Sequence, residues 1–275
     1  MPHEGFLDSR APSFTPFVAD WDESDPDISQ STYFGAEHGP QPPPDWVITE
    51  DAAHQIERGI LKTGKEADVH LVERRLGDRR NLLAAKRYRS LVHRQFRDDS
   101  RYRQARRTGN RRTDLAMIQG TAAGRAFRAE EWVANEFDVL GRLWSAGVSV
   151  PYPVQRLGDE ILVEYLGDDD FAAPRLVHAP LAGGQAEDLF TQAVTNVRLC
   201  AQRGVVHGDL SPYNILVWAD RLFLIDFPQA VDAIAHPDGL RLLERDVANL
   251  CQWARRQGVA CDPGEVCADV MAAIF

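Results

Sequence analysis

No apolar run in this chain approaches the roughly 18 residues that a membrane-spanning helix needs, which excludes a helical membrane protein. The amino terminus, MPHEGFLDSR, puts no basic start before an apolar stretch, so no secretory signal is expected. Cysteine is scarce. Cys200, Cys251, Cys261 and Cys267 are the only four, and none forms a C-x-x-C pair. That spacing argues against a disulfide framework or a structural zinc site and predicts reduced thiols in a cytoplasmic protein. Enough apolar sequence remains for a substantial core, since 44% of the 275 residues are hydrophobic.

The net charge of -10 conceals two opposed segments. Residues 1–45 hold nine acids against Arg10 alone and run into a proline-rich stretch, a composition that predicts a disordered acidic tail. Residues 86–112 hold eleven Lys and Arg against Asp98 and Asp99. A basic loop near 90–124 of this kind can meet RNA or an acidic protein surface, or be neutralised by the acidic tail. It carries no aromatic stacking platform and no recognisable RNA-binding motif.

The most specific signal is HGDLSPYNIL, His207 to Leu216, followed by LIDF at 224–227. Its His207, Asp209, Leu210 and Asn214 fill H-x-D-L-x-x-x-N, a spacing suited to phosphoryl transfer from ATP. Asp209 can orient an acceptor hydroxyl and take its proton. Asn214 and Asp226 offer the hard oxygen ligands that Mg²⁺ accepts beside nucleotide phosphates. The apolar runs 215–218 and 222–225, joined at 219–221, predict a hairpin that draws Asn214 and Asp226 together. His207 is expected to hold the loop through hydrogen bonds, and Ser211 to support Asp209 or touch phosphate.

Upstream, 82–89 is an apolar strand carrying Lys86, placed to hold the α and β phosphates. Its carboxylate partner is sought on the helix predicted over 129–147, where Glu130, Glu131 and Glu136 compete. Glu136 is preferred because it adjoins the apolar face, whereas Glu130 and Glu131 suit the first helical turn. No G-x-G-x-x-G precedes Lys86. A shorter turn, Thr63, Gly64, Lys65 and Glu66, must offer its backbone N–H groups and Lys65 to the phosphates. No A-P-E segment follows Asp226, so the usual peptide-docking groove is not evident.

These segments together resemble the RIO family of atypical protein kinases, nearest its RIO1-like type, in a short bacterial-type form. The family patterns S-T-G-K-E-A-x-V, A-x-K-x-Y and E-F-x-x-L are similar to residues 62–69, 84–88 and 136–140. H-x-D-L-S-x-Y-N-I and I-D-x-x-Q-A-V are similar to 207–215 and 225–231, and Leu243 to Asn249 resembles a helix that follows in the family. Lys62 stands where that type has Ser and Pro212 where it has Glu, while Phe227 and Pro228 lean toward another type. The resemblance implies an α+β, two-lobed kinase-like fold, with a small β-rich N-lobe over 46–166 and a mostly helical C-lobe over 167–275. It also implies ATP with Mg²⁺ or Mn²⁺, and activity as a serine/threonine-protein kinase or as an ATPase in which Asp226 accepts phosphate. The implied partners are an unidentified protein acceptor or a ribonucleoprotein, with RNA contact through the basic loop and no membrane.

Residues 156–167 read as a strand pair ending at a hinge, where the backbone of Glu164 to Leu166 would meet adenine. Asp168 to Asp170 read as a solvated turn, and helices are expected over 185–202, 240–257 and 265–275. Two other functions fit parts of the pattern. A small-molecule phosphotransferase of the aminoglycoside or choline kinase kind shares H-G-D with a later Asn, and a non-catalytic nucleotide-binding module would keep the fold.

Overall fold

The structure, a computed structural model, describes residues 28–89 and 122–274. Expectations for 1–27 and for the basic stretch 90–121 lie outside the described residues. Alternating burial along Arg79–Tyr88 (β5) organises the N-lobe: Leu83 and Ala85 are fully buried, while Leu82, Ala84 and Lys86 are half-buried. Successive strand residues face opposite ways, so Lys86 is displayed on the face opposite Leu83 and Ala85.

The sheet around β5 contains Ile28–Gln30 (β1), Glu37–His38 (β2), His54–Thr63 (β3), Ala67–Leu76 (β4), Pro153–Leu157 (β6) and Glu160–Glu164 (β7). The strands lie in the order β1-β3-β4-β5-β7-β6-β2, and every pairing is antiparallel. Residues 28–45 therefore belong to the N-lobe, which corrects the expected tail boundary at 45. Acidic composition hid a few strong anchors there. Tyr33 is buried, stacks on His38 with centroids 4.0 Å apart, and lies under the Arg74 guanidinium. The Tyr152 hydroxyl donates to Pro40 O at 2.8 Å. Arg74 is itself fully buried and donates to Ile48 O, Gln55 and Gln155.

The helix Ala122–Ser145 (α1) packs on the Lys86 side of the sheet. It starts before the expected 129 and takes in the last residues assigned to the 90–124 loop. Val133, Phe137, Leu140 and Leu143 are buried at helical spacing, the first two against Ala67, Tyr88 and Ile161.

Three helices carry the C-lobe: Gln185–Gln202 (α2), Gly239–Arg256 (α3) and Pro263–Ala272 (α4). They enclose one apolar core with the ribbons Val205–Val206 (β8) with Val231–Asp232 (β11) and Ile215–Trp218 (β9) with Arg221–Leu224 (β10). The β9–β10 hairpin turns at Ala219 and Asp220, both with positive φ (48° and 59°), a two-residue loop that matches strand twist. Arg221 thus begins β10 instead of lying in the turn. Asp262 caps α4 by accepting from the N–H groups of Gly264 and Glu265, with Pro263 at the first helical position.

Cys251, fully buried on α3, is disulfide-bonded to Cys261 in the segment leading to α4. This corrects the expectation of four reduced thiols; Cys200 and Cys267 are free and buried. No helix among the described residues is long and apolar enough to cross a membrane. The architecture is a two-lobed, protein-kinase-like α+β fold.

Candidate active site

Lys86 sits where the lobes meet. Its Nζ donates to Glu136 Oε1 and Oε2 at 2.7 and 2.9 Å and to Asp226 Oδ1 at 2.7 Å. The register makes this contact inevitable: Tyr88 and Lys86 share a sheet face, Tyr88 packs with Phe137 of α1, and Glu136 is the preceding helical residue. Burial opposes the Lys86 ammonium, but the Glu136 and Asp226 carboxylates outweigh it and raise its pKa. Burial likewise pushes Asp226 upward, and Lys86 more than offsets that, so Asp226 stays anionic. Glu136 Oε1 also accepts the Phe227 N–H at 3.1 Å, fixing the segment around Asp226. The side chains of Glu130 and Glu131 lie outside the described residues.

The catalytic-loop residues are held by backbone contacts. Gly208 has φ 79°, and a Cβ there would stand 2.5 Å from Gln229 O, so the H-G-D sequence requires glycine. His207 is buried, which lowers its pKa; its neutral ring donates from Nε2 to Ile225 O at 3.0 Å and accepts Asp209 N–H at Nδ1. Its expected structural role matches this geometry. Asp209 is left exposed in the cleft. Asn214 Nδ2 donates to Asp209 O at 2.9 Å, and Ile225 N–H donates to Asn214 O at 3.0 Å, which brings Asn214 beside Asp226. Ser211 precedes the turn Pro212–Asn214 and accepts Asn214 N–H with its carbonyl.

The remaining predicted residues surround this centre. Thr63 ends β3, and Gly64, Lys65 and Glu66 make the tight turn into β4; a Cβ on Gly64 would approach Ala67 O to 2.8 Å. At the hinge, Glu164 pairs with Leu83 and turns its carboxylate to Tyr152 N–H, while Leu166 accepts Ala173 N–H. Of the expected solvated turn 168–170, Asp169 instead pairs with Arg80 at 2.6 Å.

Asp246 is the functional residue that sequence reasoning left without a role. Fully buried on α3, it accepts Gly208 N–H at 2.8 Å and Leu210 N–H at 3.1 Å, clamping both sides of Asp209. Helical spacing puts Asp246, unlike Glu244, on the face of Leu242, Leu243, Val247 and Leu250, and that was the available signal. Burial pushes its pKa up to about 6, against the pull of the two N–H groups and Arg245. Because the folded value exceeds the ordinary 3.8, this carboxyl contributes stability that is full below about 3.8 and lost as pH rises through about 6. Relative to Asp246→Asn, the wild type should lose on the order of 2–3 kcal/mol of stability between about pH 4 and pH 7. Denaturant melts of both proteins across that range would check it; a pH-independent difference contradicts the assignment.

The donor set fits a nucleotide-borne magnesium ion. Asp226 supplies a partly exposed carboxylate, and because Asn214 Nδ2 is engaged with Asp209, its Oδ1 is the atom left to act as a hard ligand. Among the described residues no cluster of three or more His, Cys, Asp or Glu could hold a metal unaided.

A sheet-and-helix lobe presenting a lysine–glutamate pair to a loop that bears Asp209, Asn214 and Asp226 defines a protein-kinase-like catalytic domain. Its family is equally clear, since the family model described as RIO1: RIO domain matches residues 72–266. The chain belongs to the RIO domain family. It is 33% identical over 217 residues to the RIO-type serine/threonine-protein kinase Rio1 of Haloferax volcanii, covering 79% of this chain and 69% of that protein. It is 30% identical over 208 residues to the serine/threonine-protein kinase RIO1 of Caenorhabditis elegans and 28% over 204 residues to that of Homo sapiens. These matches cover 73% and 74% of this chain but only 37% and 34% of those two proteins.

Proposed function

We propose that this protein is a RIO-type serine/threonine-protein kinase or ATPase that transfers or hydrolyses the γ-phosphate of Mg-ATP. The observation that carries the reading is Lys86 bound at once to Glu136 of α1 and to Asp226 across the cleft. In this assignment Lys86 holds the α and β phosphates, Glu136 fixes Lys86, and the Thr63–Gly64–Lys65 turn covers the phosphates. Hinge groups from Glu164 to Leu166 meet adenine, and Ser211 steadies the catalytic loop. Asn214 and Asp226 would hold Mg²⁺ or Mn²⁺, which supplies charge neutralisation on the phosphates when bound. Asp209 orients the attacking oxygen and takes its proton.

As an ATPase, the enzyme would form a bond from an Asp226 carboxylate oxygen to the γ-phosphorus as the bond to ADP breaks. Water would then cleave the acyl phosphate, releasing phosphate and restoring Asp226. The partners in this reading are a protein acceptor or a ribonucleoprotein, in the cytoplasm, with the 90–121 segment available to RNA.

The test is to incubate the protein with γ-labelled Mg-ATP alone, with a general protein acceptor, and with a panel of aminoglycosides and choline. Label in free phosphate, or on serine or threonine, is expected. Hydroxylamine-labile label on the chain itself would select the aspartyl-phosphate route, and label on a small acceptor would overturn the reading in favour of a small-molecule phosphotransferase.

A further inference from the structure

The three residues Gly208, Asp209 and Leu210 carry six backbone polar groups, and side chains bond all of them. Gly208 N–H and Leu210 N–H go to the Asp246 carboxylate, Asp209 N–H to His207 Nδ1, and Asp209 O accepts from Asn214 Nδ2. The other two are carbonyls. Gly208 O accepts from Arg245 Nη2, and Leu210 O accepts from Asn249 Nδ2 at 2.8 Å. Four of the six bonds therefore come from α3, and the chemistry assigned above uses neither Arg245 nor Asn249.

Helix geometry explains the match. Arg245, Asp246 and Asn249 lie at i, i+1 and i+4, within about 100° of one another round the helix. Four residues of helix rise about 6 Å, close to the span of the two-residue step from Gly208 to Leu210, so one face reaches both carbonyls. A loop without strand partners needs such bonds to satisfy its buried backbone, and that alone gives both residues a structural use. Two observations point further. The Arg245 side chain is 38% exposed, yet its Nε is buried without a partner among the described residues, a cost that an arginine free to turn to water would shed. The Asp209 carboxylate has one hydrogen bond among the described residues, a long one of 3.4 Å from Asn214 Nδ2. Its own contacts fix it little, so its aim is set by the backbone on either side.

We propose that Arg245 and Asn249 are positioning residues for Asp209, which set the reach of its carboxylate to the attacking oxygen by holding the two flanking carbonyls. This rests on the assignment of Asp209 as the group that takes that oxygen's proton. Neither residue belongs to the phosphate, adenine or metal groups, so they act on turnover and leave ATP binding alone.

Steady-state ADP formation by the full chain tests this, with a thermal melt of each variant. Arg245→Met and Asn249→Leu each remove a donor at similar volume and should lower kcat about ten- to a hundredfold, with KM for ATP within about twofold of wild type. Arg245→Lys keeps a donor for Gly208 O and should recover most of the rate. Asp262→Ala removes the α4 cap instead, and should lower the melting temperature by a few degrees at unchanged kcat. The proposal is overturned by a kcat that falls as far in Asp262→Ala, by a rise in KM at unchanged kcat, or by Arg245→Lys as slow as Arg245→Met. Should Asn249→Leu fail to fold, the Arg245 pair decides. Asp209→Asn keeps the two claims apart. If it is nearly inactive while folded Arg245→Met and Asn249→Leu work at the wild-type rate, positioning by α3 is wrong and the role of Asp209 stands. If Asp209→Asn itself works at the wild-type rate, that role falls and the proposal with it.

Discussion

Asp226→Asn is expected to lower ATP turnover by about a thousandfold, about 4 kcal/mol of lost transition-state stabilisation, with little change in melting temperature. The substitution removes the carboxylate charge facing Lys86 but keeps the side-chain shape. It also respects the backbone, since Asp226 has φ 71° and asparagine tolerates the left-handed region better than most residues. Asp226→Ala would add backbone strain and confuse the two effects. Glu136 still accepts the Phe227 N–H across the cleft in the variant, so the lobes stay in register. Steady-state turnover measured beside a thermal melt checks this; a folded variant working at the wild-type rate would remove Asp226 from the chemistry.

Lys86→Met should damage both stability and turnover, and for separable reasons. Glu136 is 2% exposed, and without Lys86 its carboxylate is a buried charge lacking its cation. Breaking a buried pair from one side costs about 3–5 kcal/mol. Adding Glu136→Gln removes the stranded charge and leaves an oxygen to accept Phe227 N–H, so the double variant should recover most of the stability. Turnover should stay near background in both, because neither retains the phosphate cation. Denaturant melts and turnover of the three proteins decide it. A double variant as unstable as Lys86→Met would show that the pair is not the source of the loss.

The catalytic loop was legible because its chemistry fixes residue types at fixed spacing: His207, Asp209 and Asn214 could be placed on one turn without coordinates. Glu136 was legible through helical periodicity, since its neighbour Phe137 had to face the sheet. Other features depend on contacts between distant segments. The strands at 28–30 and 37–38 are too short to show a period, and their acidic setting masks Tyr33, whose partners are His38 and the distant Arg74. Asp246 became meaningful once α3 was seen to pass behind the catalytic loop, and the Cys251–Cys261 pair once the chain was seen to fold back toward α4.

The most direct test of the central claim, that this cleft spends ATP with a metal bound by Asn214 and Asp226, is ADP formation from ATP with Mg²⁺ and with excess chelator. The account predicts turnover with Mg²⁺ and its loss on chelation, with recovery when Mg²⁺ or Mn²⁺ is restored. ADP formation that continues at the same rate without divalent metal, or no ADP formation under any of these conditions, would contradict it.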